Sequence, residues 1–122
     1  MAKQLRQNAH PRRGEVWLVN FDPTVGSEIQ KTRPALIIQN DVGNRASSIT
    51  IVAAITSIQK RPYPFQVFLP TGEGGVDHYS MVTLNHLRSI DRQLLVQRFG
   101  TVSQGVMKQV DQALLVSLGT EL

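Results

Sequence analysis

The chain has 122 residues, of which 41% are hydrophobic and 18% are charged, a balance typical of one globular domain. No apolar run approaches the roughly 18 residues of a membrane span, and no apolar stretch follows the basic N-terminus as in a secretory signal. The sequence contains no cysteine, which excludes disulfides and thiolate metal sites and is compatible with a reducing compartment such as the cytoplasm.

The positive charge is concentrated at the N-terminus. The net charge is +4 and the pI is about 10.0, which suggests a nucleic-acid partner. Four of the cations, however, lie within residues 1–13, a stretch without acidic residues, and the remaining nine Lys and Arg balance nine Asp and Glu. We therefore predict a basic tail at 1–13, either simply solvated or loosely attracted to phosphates, and one neutral domain at 14–122.

The first half of the domain has the pattern of paired strands. Glu15–Phe21 is apolar on both faces, as expected for a barrel wall covered by a helix or a second subunit. A loop at Asp22–Lys31 separates it from a strand at Ala35–Gln39, and Pro34 fits at the start of that strand because it has no N–H to donate. Asn40–Ser48 is polar and is predicted to turn.

The next strand, Ile49–Ile55, alternates cleanly, and Thr56 and Ser57 follow at its end, a usual position for functional side chains. A basic loop, Ser57–Pro64, comes after it. The shorter elements beyond are a strand at Phe65–Leu69, a glycine-rich turn at 72–75, a strand at Tyr79–Leu84, a polar segment at 85–88 and a helical turn at Asp91–Val96.

The chain ends in an amphipathic helix. Ser103 is the expected N-cap and Gly119 the expected stop. The apolar residues at helical spacing, expected to pack on the core, are Val106, Met107, Val110, Leu114 and Leu118. About five strands and one helix, without βαβ alternation, predict a mainly β, small barrel-like fold.

Motifs for metal or nucleotide-cofactor chemistry are absent, and the three histidines are too scattered in sequence to indicate zinc, so no cofactor is expected. Asp77 and His78 are adjacent and should point to opposite faces of an extended chain, which favours a surface role for His78. The unusual segment is the long polar loop that ends in Arg33-Pro34. From the residues alone, Arg33 could grip a phosphate or form a structural salt bridge, for example with Glu28.

Several segments in a fixed order resemble the MazF/PemK family of toxin ribonucleases. These segments are Arg13–Trp17, Asp22–Pro34, Ile38–Asp41, Ile51–Ser57 and Arg88–Asp91. The resemblance implies an SH3-like β barrel (MazF/CcdB-like) with a C-terminal helix, a homodimer, and metal-independent cleavage of single-stranded RNA by 2′-hydroxyl attack. It also implies a cognate antitoxin that covers the RNA groove.

By the same resemblance, the catalytic arginine and threonine of the family fall on Arg33 and Thr56. Arg33 would stabilise phosphoryl charge and donate a proton, whereas the base stays open, with Glu28 and the substrate itself as candidates. The resemblance assigns RNA contacts to Ser27, Glu28, Lys31, Ser57, Lys60, Asn85, His86 and Arg88.

Asn85-His86 departs from the commoner family pattern, in which an acidic residue precedes Gln. A catalytic role, an RNA contact and a structural role all remain open for His86. Two other functions also stay in consideration: a gyrase-poisoning toxin of the CcdB type, which shares the fold, and a non-catalytic barrel that binds RNA or protein.

Overall fold

The computed structural model describes residues 10–21, 32–58 and 62–120. Its strands are β1 (Glu15–Asn20), β2 (Thr32–Ile37), β3 (Ile49–Ser57), β4 (Gln66–Leu69), β5 (Ser80–Asp91) and β6 (Leu95–Thr101). Its helices are α1 (Asp41–Ala46) and α2 (Gln104–Leu118), and two 3-10 turns lie at Glu73–Gly75 and Arg92–Leu94. All strands pair antiparallel in one sheet, in the order β4-β5-β3-β2-β1-β6.

The predicted mainly β fold with a C-terminal helix is confirmed, although the sheet does not close into a complete barrel. The 3-10 turn Glu73–Gly75 packs against β6, one of the two edge strands. The approach is so close that a Cβ on Gly75 would overlap the Phe99 carbonyl oxygen, and one on Gly100 would lie 2.9 Å from the Gly74 carbonyl carbon. Gly75 also has a φ of 81°, so glycine is required there.

Two apolar clusters lie on opposite faces of the sheet, because successive residues of a strand point to opposite sides. The helix-side core includes Val16, Leu36, Ala53 and Ile55 with the buried face of α2. The second core consists of Trp17, Val19, Ala35, Ile37, Val52, Ile90 and Leu95. This arrangement confirms the prediction that β1 is covered on both faces, and residues of the same chain provide the cover.

Helix α2 has the predicted ends. Ser103 Oγ accepts the Val106 N–H at 3.2 Å, and Gly119 ends the helix in the left-handed region at a φ of 72°. Most of the predicted stripe packs inward, but Leu118 is 60% exposed, so its predicted core position was wrong. None of the helices in the described residues is long and apolar enough to cross a membrane.

Predictions about three of the strands needed correction. Strand β2 begins at Thr32, so Pro34 lies inside it; there it pairs with β1, and the β3 ladder starts only at Ala35. Strand β5 continues through Asn85–Arg88 to Asp91. Strand β6 was missed because Val96–Phe99 are all exposed and lack the apolar alternation that marks a half-buried strand.

Residues 40–48, predicted as a turn, contain the short helix α1. Asn40 caps the helix by accepting the Gly43 N–H at 2.8 Å. Asn44 is almost fully buried, and its Oδ1 accepts hydrogen bonds from Gln39 Nε2 at 2.9 Å and Thr50 Oγ1 at 2.7 Å. These side-chain bonds stabilise a helix that is too short to persist on propensity alone.

Asp41 connects α1 to the start of the domain. It accepts the backbone N–H of Arg13 at 2.8 Å, and this bond lowers the pKa of Asp41 below its ordinary value of 3.8. Burial opposes the shift, while the Asn44 hydrogen bond and the nearby Arg12 charge support it. Because the folded-state pKa is depressed, Asp41 contributes stability above pH 3.8, and this contribution is lost as the pH falls through the lowered pKa.

We predict that Asn44→Ala lowers the free energy of unfolding by about 2 kcal/mol, because Thr50 Oγ1 and Gln39 Nε2 lose their buried acceptor. Urea unfolding measures this difference. The matched control is Arg45→Ala at the neighbouring exposed position, which should change stability by less than about 0.5 kcal/mol. Equal effects of the two substitutions would show that the network does not stabilise the fold.

Candidate active site

The register between β2 and β3 brings two predicted catalytic residues together. The ladder pairs Ala35 with Ala54 and Leu36 with Ala53. Continued by two residues, the same register places Arg33 opposite Thr56. Directly opposite residues of antiparallel strands have Cβ atoms about 5 Å apart and share a face. By this extension of the register, Arg33 and Thr56 belong to neighbouring strands and to the face of the second core.

Arg33 is exposed at this end of the sheet. Its Nη1 donates to the carbonyl oxygen of Thr32 at 2.7 Å, and its backbone pairs with Val19 of β1. The following residue, Pro34, has no N–H to donate, and the β3 ladder ends one residue later. The guanidinium is thus held at the sheet surface, where its fork of donors suits an anionic phosphate.

Thr56 has a buried hydroxyl without a hydrogen-bond partner. In the part of the chain that the structure describes, Thr56 Oγ1 is the one buried side-chain polar atom that has no hydrogen-bond partner. Thr50 provides a contrast: it lies on the same face of β3, and its hydroxyl donates to Asn44. Because an unmet buried hydroxyl destabilises the fold, a shift that lets Thr56 Oγ1 meet an oxygen of another molecule would be favourable.

Arg88 faces the same side of the sheet, since it pairs with Val52 of the second core. Its guanidinium carbon lies 4.7 Å from the centroid of the Phe21 ring, within the range of a cation–π contact. Phe21 in turn packs against the second core. Sequence reasoning placed Phe21 at the end of the predicted strand Glu15–Phe21 but missed its contact with Arg88, which only the pairing of distant strands creates.

Asn85 and His86 lie in a wide irregularity of β5. One step along β3, from Ala53 to Ala54, corresponds to four steps along β5, from Leu87 to Thr83. The three extra residues include buried Leu84, whereas Asn85 and His86 are exposed. A bulge of this kind turns side chains away from the regular face, so both are accessible to a ligand on the surface.

The remaining predicted residues divide into two groups. Ser57 is exposed at the end of β3, and by alternation it points away from the face of Thr56. Four residues predicted to contact RNA lie outside the described residues: Ser27, Glu28, Lys31 and Lys60. The alternative salt bridge between Arg33 and Glu28 falls outside them as well.

Asp77 and His78 differ from the prediction. Their side chains do not point apart, because His78 Nδ1 and Asp77 Oδ1 are 2.6 Å from each other in an irregular segment before β5. Both are exposed, and they border a shallow cavity of about 280 Å³ that Pro34 and Phe99 also line. Within residues 10–21, 32–58 and 62–120, no cluster of three or more His, Asp or Glu side chains could hold a metal ion.

The sequence model of the family described as PemK-like, MazF-like toxin of type II toxin-antitoxin system matches residues 12–118. The chain belongs to this family. Over 108 residues it is 42% identical to the endoribonuclease EndoA of Bacillus subtilis. The aligned region covers 88% of this chain and 93% of the relative.

Solved structures agree with this family membership. A MazF crystal structure from Deinococcus radiodurans superposes with a TM-score of 0.72 at 29% identity, covering 92% of this chain and 99% of that one. A MazE-MazF structure from the same organism superposes with a TM-score of 0.70 at 28% identity, covering 93% of this chain and 99% of that one. An endoribonuclease in complex with its cognate antitoxin from Mycobacterial species superposes with a TM-score of 0.76 at 21% identity, covering 92% of this chain and 98% of that one. At this identity the similarity supports the fold alone.

We predict opposite stability changes for two threonines of this MazF-like chain. Thr56→Val removes an unpartnered buried hydroxyl and should raise the free energy of unfolding by about 1 kcal/mol. Thr50→Val breaks the bond to Asn44 and should lower it by about 1–2 kcal/mol. Urea unfolding of both variants checks this pair, and a loss of stability in Thr56→Val equal to that in Thr50→Val would contradict it.

Proposed function

We propose that this chain is a sequence-specific endoribonuclease toxin that cleaves single-stranded mRNA in the cytoplasm without a metal ion. The observation that carries the proposal is the unpartnered buried hydroxyl of Thr56 on β3, with exposed Arg33 on the adjacent strand β2 at the position that an extension of the β2–β3 register sets opposite it. Family membership and the 42% identity to a relative named an endoribonuclease support the same activity.

The reaction is an attack of the ribose 2′-hydroxyl on the adjacent phosphorus. The new P–O2′ bond forms as the P–O5′ bond breaks, which leaves a 2′,3′-cyclic phosphate and a 5′-hydroxyl. The 2′-hydroxyl loses a proton to a base, and the departing 5′ oxygen gains one. Negative charge grows on the non-bridging oxygens, so fixed donors at those oxygens lower the barrier.

Arg33 and Thr56 supply the donors that this reaction needs. The Arg33 guanidinium stabilises the phosphoryl charge and donates toward the departing 5′ oxygen. It does not act as the base, because a guanidinium stays protonated in proteins. The Thr56 hydroxyl donates to a non-bridging oxygen and so gains the partner that it lacks in the unliganded fold. Glu28, outside the described residues, or the substrate itself accepts the 2′ proton.

RNA contacts extend from this pair across the surface. Arg88, held by Phe21 on the same face, attracts a neighbouring phosphate, and the exposed Asn85 and His86 contact bases. Ser57 and the predicted residues outside the described ranges (Ser27, Glu28, Lys31, Lys60) complete the proposed groove. Many family members have Gln at the position of His86. The His side chain at this position alters the RNA sequence that the protein recognises.

A cognate antitoxin and a second copy of the chain are the proposed protein partners, and both rest on family membership. Solved structures of relatives include an endoribonuclease with its cognate antitoxin and a MazE-MazF complex. We propose that an acidic, extended antitoxin segment covers the RNA groove, so that antitoxin and RNA compete. The family match favours this function over a gyrase poison of the CcdB type.

We predict that the purified protein cuts a long RNA at defined sequences in the presence of EDTA. Arg33→Ala and Thr56→Val should each reduce the cleavage rate by at least about 100-fold, because each removes a donor to the transition state. RNA binding should persist in both variants. Primer extension locates the cuts, and end-group analysis identifies the cyclic phosphate.

Arg45→Ala is the matched control, because it removes an exposed arginine from α1, which packs near the start of β3 and not at the end that carries Thr56, and should leave the rate unchanged. Cuts that survive in Arg33→Ala and Thr56→Val would show that these residues are not catalytic. Intact RNA together with trapped gyrase–DNA complexes would replace the ribonuclease with the gyrase poison, and RNA binding without cuts would indicate a non-catalytic barrel.

A further inference from the structure

An aromatic pair lies beside the Arg33–Thr56 site on the same face of the sheet. Phe68 of β4 pairs with Met81 of β5, and Met81 pairs with Thr56 of β3. Opposite residues share a face, so these side chains form one row across three strands. The register of β2 adds Arg33 at the other end of the row.

The end of the row that lies away from Arg33 is aromatic and accessible. The rings of Phe68 and Tyr79 meet edge to face, with centroids 5.7 Å apart and an angle of 67°. Tyr79 is 50% exposed and Phe68 is partly exposed, whereas Met81 between Phe68 and Thr56 is fully buried. Met81 therefore lies below the surface between Phe68 and Thr56, and the rings of Phe68 and Tyr79 remain accessible to a ligand.

The spacing of the row suits one nucleotide step. Adjacent strands lie about 4.8 Å apart, so Phe68, two strands from Thr56, is roughly 10 Å away from it. A phosphate bound by Thr56 and Arg33 would place the base of a neighbouring nucleotide within reach of the aromatic pair. The row thus offers cationic and hydroxyl donors at one end and a flat apolar surface at the other.

We propose that Phe68 and Tyr79 form a stacking subsite for the base of a nucleotide next to the scissile phosphate. Aromatic side chains stack on the faces of unpaired bases, and this contact tolerates different bases because each has a π face. The subsite provides affinity and positioning rather than sequence readout. This inference rests on the proposed ribonuclease activity and names a contact that the reaction chemistry does not require.

A second aromatic pair on the same edge supplies the control. Tyr63 stacks on Phe65 with a centroid distance of 5.2 Å and an angle of 8°, and Tyr63 is 59% exposed. Phe65, however, packs against the helix-side core and not on the face of Thr56. Tyr63 is therefore comparable to Tyr79 in type and exposure but belongs to a different surface.

The test uses a short RNA that contains one mapped cleavage site of the wild-type protein. Tyr79→Ala should raise both Kd and KM about 10-fold and leave kcat within about twofold, as expected for the loss of one stacked base. Tyr79→Phe should restore wild-type values, since it keeps the ring, and Phe68→Leu should resemble Tyr79→Ala. Tyr63→Ala should leave Kd and KM unchanged, and thermal unfolding confirms that each variant is folded.

Abasic substitution along the same RNA locates the stacked base. At one position beside the cleaved bond, removal of the base should weaken wild-type binding about 10-fold and leave binding of Tyr79→Ala unaltered. The subsite would be overturned if Tyr79→Ala left Kd and KM unchanged, or if Tyr63→Ala had an equal effect. It would also be overturned if the loss of affinity on removing a base were additive with that of Tyr79→Ala at every abasic position. A wild-type protein that fails to cut RNA would instead overturn the proposed function.

Discussion

The antiparallel register between β2 and β3 is the constraint on which the candidate site depends. It pairs Ala35 with Ala54, and two residues further it places Arg33 opposite Thr56. Any slip of one residue would move one of these side chains to the opposite face. Pro34 contributes to this arrangement because it cannot donate to a ladder, so β2 follows β1 there while its pairing with β3 ends at Ala35.

The residues around this register hold the strands by buried polar contacts as well as by apolar packing. Glu15 is buried and accepts hydrogen bonds from Trp17 Nε1 at 2.8 Å and from the Arg12 N–H at 2.9 Å. At the same end of β2, Asn44 links α1 to Thr50 of β3. Polar segments of the family pattern thus serve the fold in this chain, and they fix β1, β2 and β3 at the end of the strands opposite to the site.

The two threonines of β3 show how the same residue type serves stability and function. Thr50 meets its hydrogen-bonding need inside the protein, whereas the buried hydroxyl of Thr56 has no partner among the described residues. A protein that retains such a group gives up stability in the unliganded state and gains it when a ligand oxygen arrives. The proposed phosphate contact at Thr56 and the aromatic subsite at Phe68 extend this reasoning along one row of side chains.

Local signals in the sequence determined much of this protein: the two-sided β1, the alternation of β3, and the ends of α2 at Ser103 and Gly119. These features depend on neighbouring residues, so periodicity and capping reveal them. The residues of the candidate pair could be named from the sequence by family resemblance, but their placement on one face could not be derived from it.

Tertiary structure alone decided the features that depend on distant pairing. Strand β6 carries no apolar alternation because most of its side chains are exposed, and α1 forms because Asn44 finds partners in Gln39 and Thr50. The contact of Arg88 with Phe21 and the alignment of Phe68 with Thr56 also require strands far apart in sequence to meet. The loop that ends in Arg33-Pro34 was notable in the sequence for its charge and proline, and its position beside an unpartnered hydroxyl follows from a register that only the folded sheet defines.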